Sequence, residues 1–106
     1  MSFAQSARNI RIEDNRVLIA ELQNENGDFV DAQVDLDEFL GNDEGCFQWE
    51  GCGFSQSAVD VWLEINQDTG LPILRAKLGT SDGDQYDADV NLSERISNNN
   101  GSFEFQ

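Results

Sequence analysis

The sequence is poor in basic residues and contains no histidine. Its 106 residues include six Lys and Arg against 21 Asp and Glu, which gives a formal net charge of −15. A field of this sign repels nucleic-acid phosphates and anionic membranes, which argues against both as partners. No apolar run approaches the length of a membrane span, and no basic segment followed by an apolar run opens the chain. We therefore expect a cytoplasmic protein, or one exported by a route that the sequence does not show.

Cysteine is nearly absent, and its placement does not indicate a metal site. Cys46 and Cys52 are either free thiols, which we favour for an intracellular protein, or a disulfide that closes a small loop. Without histidine or a second cysteine pair, zinc is not expected. The turn at residues 82–84 lacks the spacing of a calcium-binding loop, and no phosphate-binding loop or nucleophile elbow is present. We predict a protein without cofactor, metal or catalytic activity.

The chain contains a near copy of itself. Ile73–Gln106 aligns with Val17–Glu50 at a constant offset of 56, and thirteen of 34 positions are identical, where chance would give roughly two. Upstream, Phe3–Ala7 recurs as Phe54–Ala58, so the second copy has gained five residues around positions 66–72. Because a repeat of about fifty residues would be marginally stable alone, we expect one domain over residues 1–106, built of repeats at about 1–50 and 51–106.

The local pattern is that of short strands joined by tight turns. Apolar alternation over residues 18–22, the turn formers at 26–28 and an extended run over 29–36 predict a β-hairpin, which recurs over residues 74–92. Asp35 and Asn91 are expected to cap one or two helical turns. Each turn leads through Asn-x-x-Gly into a further strand.

The sequence also predicts where several aromatic residues and the single proline lie. Alternation in the last strand of each repeat predicts that its aromatic residues belong to the core: Phe47, Trp49, Phe103 and Phe105. Trp62 stands on the face opposite Val61 and Leu63 and is the more plausible exposed aromatic residue. Pro72 lies in the insertion, where it cannot interrupt a strand ladder.

These features resemble the cyanovirin-N homology family over essentially the whole chain. The matching segments are the paired signatures 34–37 with 42–49 and 90–93 with 98–105, together with the repeat opening at 54–57. The resemblance implies an all-β, pseudo-twofold fold, in which each half combines a three-stranded sheet and short helical turns with a hairpin from the other repeat. The pseudo-domains would comprise about residues 1–39 with 94–106, and 40–93. It also implies a lectin for α1-2-linked mannose of high-mannose glycans.

The chain departs from the family's founding member at its disulfides. The four positions that are cysteines there are Ala7, Leu22, Ala58 and Leu78 in this sequence. Apolar packing must replace both cross-links, which fits a reducing compartment and the fungal branch of the family.

The resemblance places two polar clusters that suit the hydroxyls of a mannose disaccharide. We call the first the terminal pocket; its candidate residues are Ser2, Gln5, Ser6, Gln23, Asn24, Glu25, Asn98, Asn99 and Asn100. We call the second the central pocket; its candidate residues are Gly41, Asn42, Asp43, Glu44, Cys52, Gly53, Gln56, Ser57, Thr80, Ser81 and Asp82.

We favour the terminal pocket because the central pocket has lost polar groups. Gly41, Gly53 and Ser81 stand where the founding member has a glutamate, an asparagine and an arginine, and each lost hydrogen bond costs on the order of 1 kcal/mol. An alternative is that the Asn- and Gly-rich segments only form turns. The protein would then be an interaction module on a lectin fold with decayed sugar sites. We expect a monomer that binds oligomannose glycans or glycoproteins, with a domain-swapped dimer about residues 51–53 as the alternative.

Overall fold

The computed structural model describes residues 3–105, apart from the side chains of residues 4 and 5. The strands, in chain order, are β1 (Ala7–Glu13), β2 (Val17–Gln23), β3 (Phe29–Asp35), β4 (Leu40–Asp43), β5 (Cys46–Trp49), β6 (Ala58–Ile65), β7 (Pro72–Gly79), β8 (Gln85–Asn91), β9 (Ile96–Asn99) and β10 (Ser102–Phe105). Single 3-10 turns precede β1, β4, β6 and β9, at Phe3–Ser6, Leu36–Glu38, Phe54–Ser57 and Leu92–Glu94. Within this part of the chain, no helix is long and apolar enough to cross a membrane.

The strands form two antiparallel three-stranded sheets and two hairpins. Strands β1, β2 and β3 make one sheet with β2 in the centre, and β6, β7 and β8 make its counterpart. Strand β4 pairs with β5, and β9 pairs with β10. The predicted all-β fold, repeated twice along the chain, is confirmed.

Both repeats contribute equally to the core, because the same positions of each repeat carry its apolar side chains. The two central strands alternate between buried and partly exposed residues along their length. Twelve of the described residues are buried and apolar, and they form six repeat-related pairs: Phe3 and Phe54, Leu18 and Leu74, Ala20 and Ala76, Leu22 and Leu78, Leu36 and Leu92, Leu40 and Ile96. Each buried Leu or Phe stabilises the fold by about 1.5–3 kcal/mol. The packing of this shared core takes the place of the two disulfides that the sequence lacks at positions 7, 22, 58 and 78.

The helical segments are shorter than a full α-helix but are capped as predicted. The Asp35 side chain accepts a hydrogen bond from the Asp37 amide (3.0 Å), and the Asn91 side chain accepts one from the Ser93 amide (2.9 Å). Each 3-10 turn then ends after three residues, because the buried Leu40 or Ile96 already begins the next strand. Pro72 is the first residue of β7 and pairs with Ile65. At a strand start its missing N–H removes no bond from the interior of the ladder.

Each hairpin packs on the sheet of the other repeat. Phe103 of β10 meets Phe3 edge-to-face at 5.2 Å, and Phe47 of β5 meets Phe54 at 5.5 Å. The four aromatic residues predicted for the core are half-buried: Phe47, Trp49 and Phe103 pack against the core, and Phe105 stacks on Phe39 at 4.6 Å. The exchange brings residues from both ends of the chain together at the terminal pocket.

A bulge in the first strand of each repeat turns side chains outward. Asn9 and Asp60 have left-handed backbones (φ 55° and 53°), and the strand register shifts at both places. After the bulge Trp62 lies opposite Arg75 and faces solvent, with 49% of its surface exposed. The predicted exposure of Trp62 is confirmed, and Tyr86 and Phe29 are exposed as well.

Candidate functional site

Asn98 holds the terminal pocket together. Its Nδ2 donates hydrogen bonds to the Ser6 Oγ (2.8 Å) and to the Gln23 carbonyl oxygen (2.9 Å), and its Oδ1 accepts one from the Gly101 amide (2.8 Å). Both amide protons are therefore used within the protein. Asn98 was a candidate sugar ligand, but the structure gives it the role of joining the repeat opening, the first hairpin and the last turn.

Asn42 makes the equivalent hydrogen bonds in the central pocket. Its Nδ2 donates to the Ser57 Oγ and to the Gly79 carbonyl oxygen, both at 2.7 Å, while its Oδ1 accepts from the Gly45 amide at 2.9 Å. Asn42 and Asn98 occupy equivalent positions in the two repeats. Their hydrogen-bond partners do so too: Ser57 and Ser6, Gly79 and Gln23, Gly45 and Gly101. The two pockets thus share one scaffold.

The turns that follow these asparagines approach the neighbouring sheet closely. Gly45 and Gly101 have φ values of 91° and 89°, which favour glycine. A Cβ atom on Gly101 would lie 2.6 Å from a Val30 methyl carbon, and one on Gly45 would lie 2.8 Å from the Tyr86 ring. Glycine therefore lets each turn rest against the hairpin that forms the opposite rim of its pocket.

The rims of the two pockets differ in where they carry a carboxylate. In the terminal pocket the Asn100 Oδ1 accepts a hydrogen bond from the Glu25 amide (2.8 Å). In the central pocket the repeat-related Glu44 accepts two bonds from Ser81, one from its amide (2.9 Å) and one from its hydroxyl (2.7 Å). The backbone bond from Ser81, followed by the hydroxyl bond, lowers the pKa of Glu44. Glu44 therefore already spends two of its roughly four acceptor sites on the protein.

Glu25 is the free carboxylate of the terminal pocket. Its side chain is exposed and has no hydrogen-bond partner among residues 3–105. The Nδ2 group of Asn100, whose Oδ1 accepts the bond from the Glu25 amide, makes no bond to the described part of the chain either. These two neighbouring residues thus have a free acceptor and a free donor, the kinds of group that sugar hydroxyls bind.

The other candidates of the terminal pocket mainly shape it. The Asn24 side chain accepts bonds from the amides of Asn26 (3.0 Å) and Asp28 (3.1 Å) and so forms the hairpin turn. The Gln23 Nε2 donates to the Gly27 carbonyl oxygen (3.3 Å), and the Asn99 Nδ2 donates to the Glu104 carboxylate (2.7 Å). Ser2 and the side chain of Gln5 lie outside the described structure, so their roles stay predictions.

Several candidates of the central pocket present no side chain to a ligand. Gly41 is buried, and a Cβ there would lie 3.0 Å from the Cys52 amide nitrogen. Gly53 has a left-handed backbone and begins the 3-10 turn Phe54–Ser57. The Thr80 hydroxyl donates to the Asp84 carbonyl oxygen (3.3 Å). The side chains that remain exposed and make no hydrogen bond within the described chain are those of Asp43, Cys52, Gln56 and Asp82.

The sequence reasoning missed Tyr86. Its ring flanks the Gly45 turn and is 54% exposed, while the repeat-related position at the terminal pocket is Val30. Only the close approach of turn and hairpin reveals its place at the pocket. Cys46 and Cys52 are both free thiols, as predicted. Among the described residues, no group of three or more Cys, Asp or Glu side chains is arranged to hold a metal ion.

The family is established by comparison with known proteins. The model of the CVNH domain matches residues 3–104. A cyanovirin-N homolog from Neurospora crassa is 43% identical, over 98% of this chain and 97% of its own length. The NMR structure of a CVNH protein from Gibberella zeae superimposes with a TM-score of 0.90 at 48% identity, covering 97% of this chain and 95% of its own. The chain therefore belongs to the CVNH family, the cyanovirin-N homologs, which is a family of lectins.

Two further structures of this fold contain sugars. The crystal structure of a MoCVNH3 variant in complex with (N-GlcNAc)4 has a TM-score of 0.85 at 25% identity and covers 98% of this chain and 96% of that one. A microvirin–mannobiose complex has a TM-score of 0.88 at 24% identity, over 99% and 98% of the two chains. The second likeness is one of fold alone.

Proposed function

We propose that this protein is a non-catalytic lectin that binds α1-2-linked mannose of high-mannose glycans in its terminal pocket. Membership of the CVNH family supports carbohydrate binding. The mannobiose complex of microvirin shows only that a protein of this fold can hold a mannose disaccharide. The choice of pocket is supported by one observation in this chain: Glu25 and Asn100, which are joined by a backbone-to-side-chain hydrogen bond, have a free carboxylate and a free amide NH2 group.

The terminal pocket offers the hydrogen-bond acceptors and donors that the hydroxyl groups of a sugar need. A carboxylate accepts hydrogen bonds from two hydroxyls, and an amide NH2 group donates to a third oxygen. Hydrogen bonds that involve an ionised group are roughly twice as strong as neutral ones. Because Asn98 and Asn24 hold the surrounding backbone in place, mainly the Glu25 side chain has to be ordered when the sugar binds.

Binding of this kind is reversible and requires no metal. A small, wet and polar site commonly has a Kd in the millimolar to micromolar range, about −4 to −8 kcal/mol. The central pocket would bind more weakly, because Gly41 and Gly53 present no polar side chain to a sugar and Ser81 already uses two of the acceptor sites of Glu44. One working site on a monomer makes a weak lectin, and a domain-swapped dimer would raise its avidity for a branched glycan.

The deciding experiment is an NMR titration of 15N-labelled protein with α1-2 mannobiose. We expect amide shifts at residues 23–25 and 98–101. Shifts confined to residues 43–45 and 80–82 would assign the sugar to the central pocket and contradict our choice. If mannobiose shifts no amide while (N-GlcNAc)4 does, the protein is a lectin with a different sugar preference. If neither sugar shifts any amide, the lectin proposal fails, and the interaction module with decayed sugar sites replaces it.

A further inference from the structure

A groove on the outer face of the second sheet lies outside both pockets. It has a volume of about 320 Å³, near the lower limit of small-molecule sites, and is lined by Trp62, Arg75, Ala76, Asp87, Ala88 and Asp89. All of these residues belong to β6, β7 and β8, whereas the pockets are built from the turns at the sheet ends. We call it the Trp62 groove.

A fixed cation lies over an aromatic ring in this groove. Trp62 is 49% exposed, and the Arg75 guanidinium carbon lies 5.8 Å from the centre of its ring. Arg75 is held from two sides, since its Nε donates to Glu64 (3.0 Å) and one terminal nitrogen donates to Asp89 (3.3 Å). Two of its five N–H donors are thus used to position it, and the others remain for a ligand.

Asp87 adds a carboxylate that has no partner in the described chain. It is exposed and lies two residues before Asp89 on the same face of β8. Lys77, opposite Asp87 in the strand register, forms its ion pair with Asp60 (3.9 Å) instead. The groove therefore offers a flat apolar surface, a fixed donor and a free acceptor within three neighbouring strands.

The corresponding groove of the duplicated sheet keeps the carboxylate, with Asp31 at the position of Asp87, but has no aromatic residue among the described residues that line it. That groove has a volume of about 380 Å³ and is lined by Arg11, Ile19, Asp31, Ala32 and Gln33. Arg11 stands at the position of Trp62, and Ile19 at that of Arg75. The strand pairing is the same, so the difference lies in the side chains alone. The sheet itself does not require an exposed tryptophan at this place.

We propose that the Trp62 groove is a second carbohydrate site, specific for β-linked glycans of all-equatorial pyranoses such as β1-4-linked glucose. In such a ring every hydroxyl is equatorial, so both ring faces present only C–H groups and match a flat indole. An α-mannose ring carries an axial hydroxyl, which favours the polar pockets over a stacking surface. Packing on Trp62 supplies contact area at low entropic cost, while Asp87 and Arg75 bind the ring hydroxyls. The site does not depend on the terminal pocket or on mannose binding.

The test is a 15N NMR titration with cellotetraose, a β1-4-linked glucose tetramer. We expect shifts of the Trp62 indole N–H and of the amides of residues 75 and 87–89, with a Kd of about 1 mM. Trp62→Ala should weaken binding roughly tenfold, and Trp62→Tyr should restore most of it. Asp87→Asn should weaken binding by a few-fold.

Two controls separate this site from the proposed lectin pocket. Arg11→Ala in the sister groove and Glu25→Gln in the terminal pocket should leave cellotetraose binding unchanged. No shift at 10 mM cellotetraose, shifts confined to the terminal pocket, or full affinity in Trp62→Ala would each overturn the proposal. Because Trp62 and Asp87 are exposed, their variants should give the dispersed spectrum of the folded protein, which the same titration shows.

Discussion

The terminal and central pockets have the same scaffold and different rims. In both, an asparagine donates to a serine hydroxyl and a strand carbonyl and accepts from a glycine amide. At the rim, however, the acidic residue sits on the turn after β4 in one pocket and on the hairpin in the other. Glu44 is bound by Ser81, whereas Glu25 remains free. Duplication has thus kept the hydrogen bonds that hold the fold together and changed those that meet solvent.

The largest effect is expected from removing the shared asparagine. Asn98→Ala leaves the Gln23 carbonyl and the Gly101 amide without their partner. We expect a loss of about 2–3 kcal/mol in the free energy of unfolding, measured by urea denaturation. Asn42→Ala should cost a similar amount, because its bonds are the same. The matched control is Asn99→Ala, whose exposed partner Glu104 can be solvated; a cost as large there would contradict the structural role of Asn98.

The next prediction tests which carboxylate binds the sugar. Glu25→Gln should weaken α1-2 mannobiose binding roughly 10- to 100-fold, since a hydrogen bond to a charged group contributes about 1.5–3 kcal/mol. Glu44→Gln, its counterpart, should leave the affinity unchanged. Isothermal titration calorimetry measures both. Equal affinities for Glu25→Gln and the unaltered protein would remove the basis for placing the sugar in the terminal pocket.

A double substitution tests whether the rim alone separates the pockets. Glu44→Asn with Ser81→Glu gives the central pocket the rim of the terminal one. We expect the mannobiose stoichiometry to rise from about one to about two, with the new Kd within roughly tenfold of the first. A stoichiometry that stays at one would show that Gly41 and Gly53 matter more than the carboxylate.

The smallest effect concerns pH. Because the bonds from Ser81 lower the pKa of Glu44, the folded form of this group titrates below the usual glutamate value of 4.5. The stabilisation is therefore fully present above that value and is lost as the pH falls through the folded-state pKa. We expect the Ser81 amide shift to titrate with a midpoint below pH 4.5. Glu44→Gln should abolish that titration, and a midpoint at or above the usual value would contradict the hydrogen bonds described.

Much of the fold was predictable because its signals are local. The alternation in β2 and β7, the turns at 26–28 and 82–84 and the caps Asp35 and Asn91 act within a few residues of chain. The duplication then implied that both repeats must share a core, which the six buried pairs show. The length of the 3-10 turns was less predictable, because it depends on where Leu40 and Ile96 enter the core.

The candidate site was predicted as a set of residues and not as a set of roles. Asn98, Asn100 and Glu25 all looked like sugar ligands in the sequence, and their amide and carboxylate chemistry does not distinguish them. In the structure Asn98 uses both of its amide protons internally, and Asn100 keeps its own. Tyr86 and the Trp62 groove were not predicted as parts of a site, since each depends on the approach of separate strands.

The sequence by itself determined the duplicated all-β architecture, the turns and caps, the acidic surface and the family. The architecture, the turns and caps and the surface charge follow from composition, periodicity and internal identity, and the family follows from a resemblance of sequence segments. None of these needs knowledge of distant contacts. Only the tertiary structure decided which polar groups are free to bind. The bonds that occupy Asn98, Asn100 and Glu44 join residues 92, 75 and 37 positions apart, and a donor or acceptor is available to a ligand only when no such partner has reached it first.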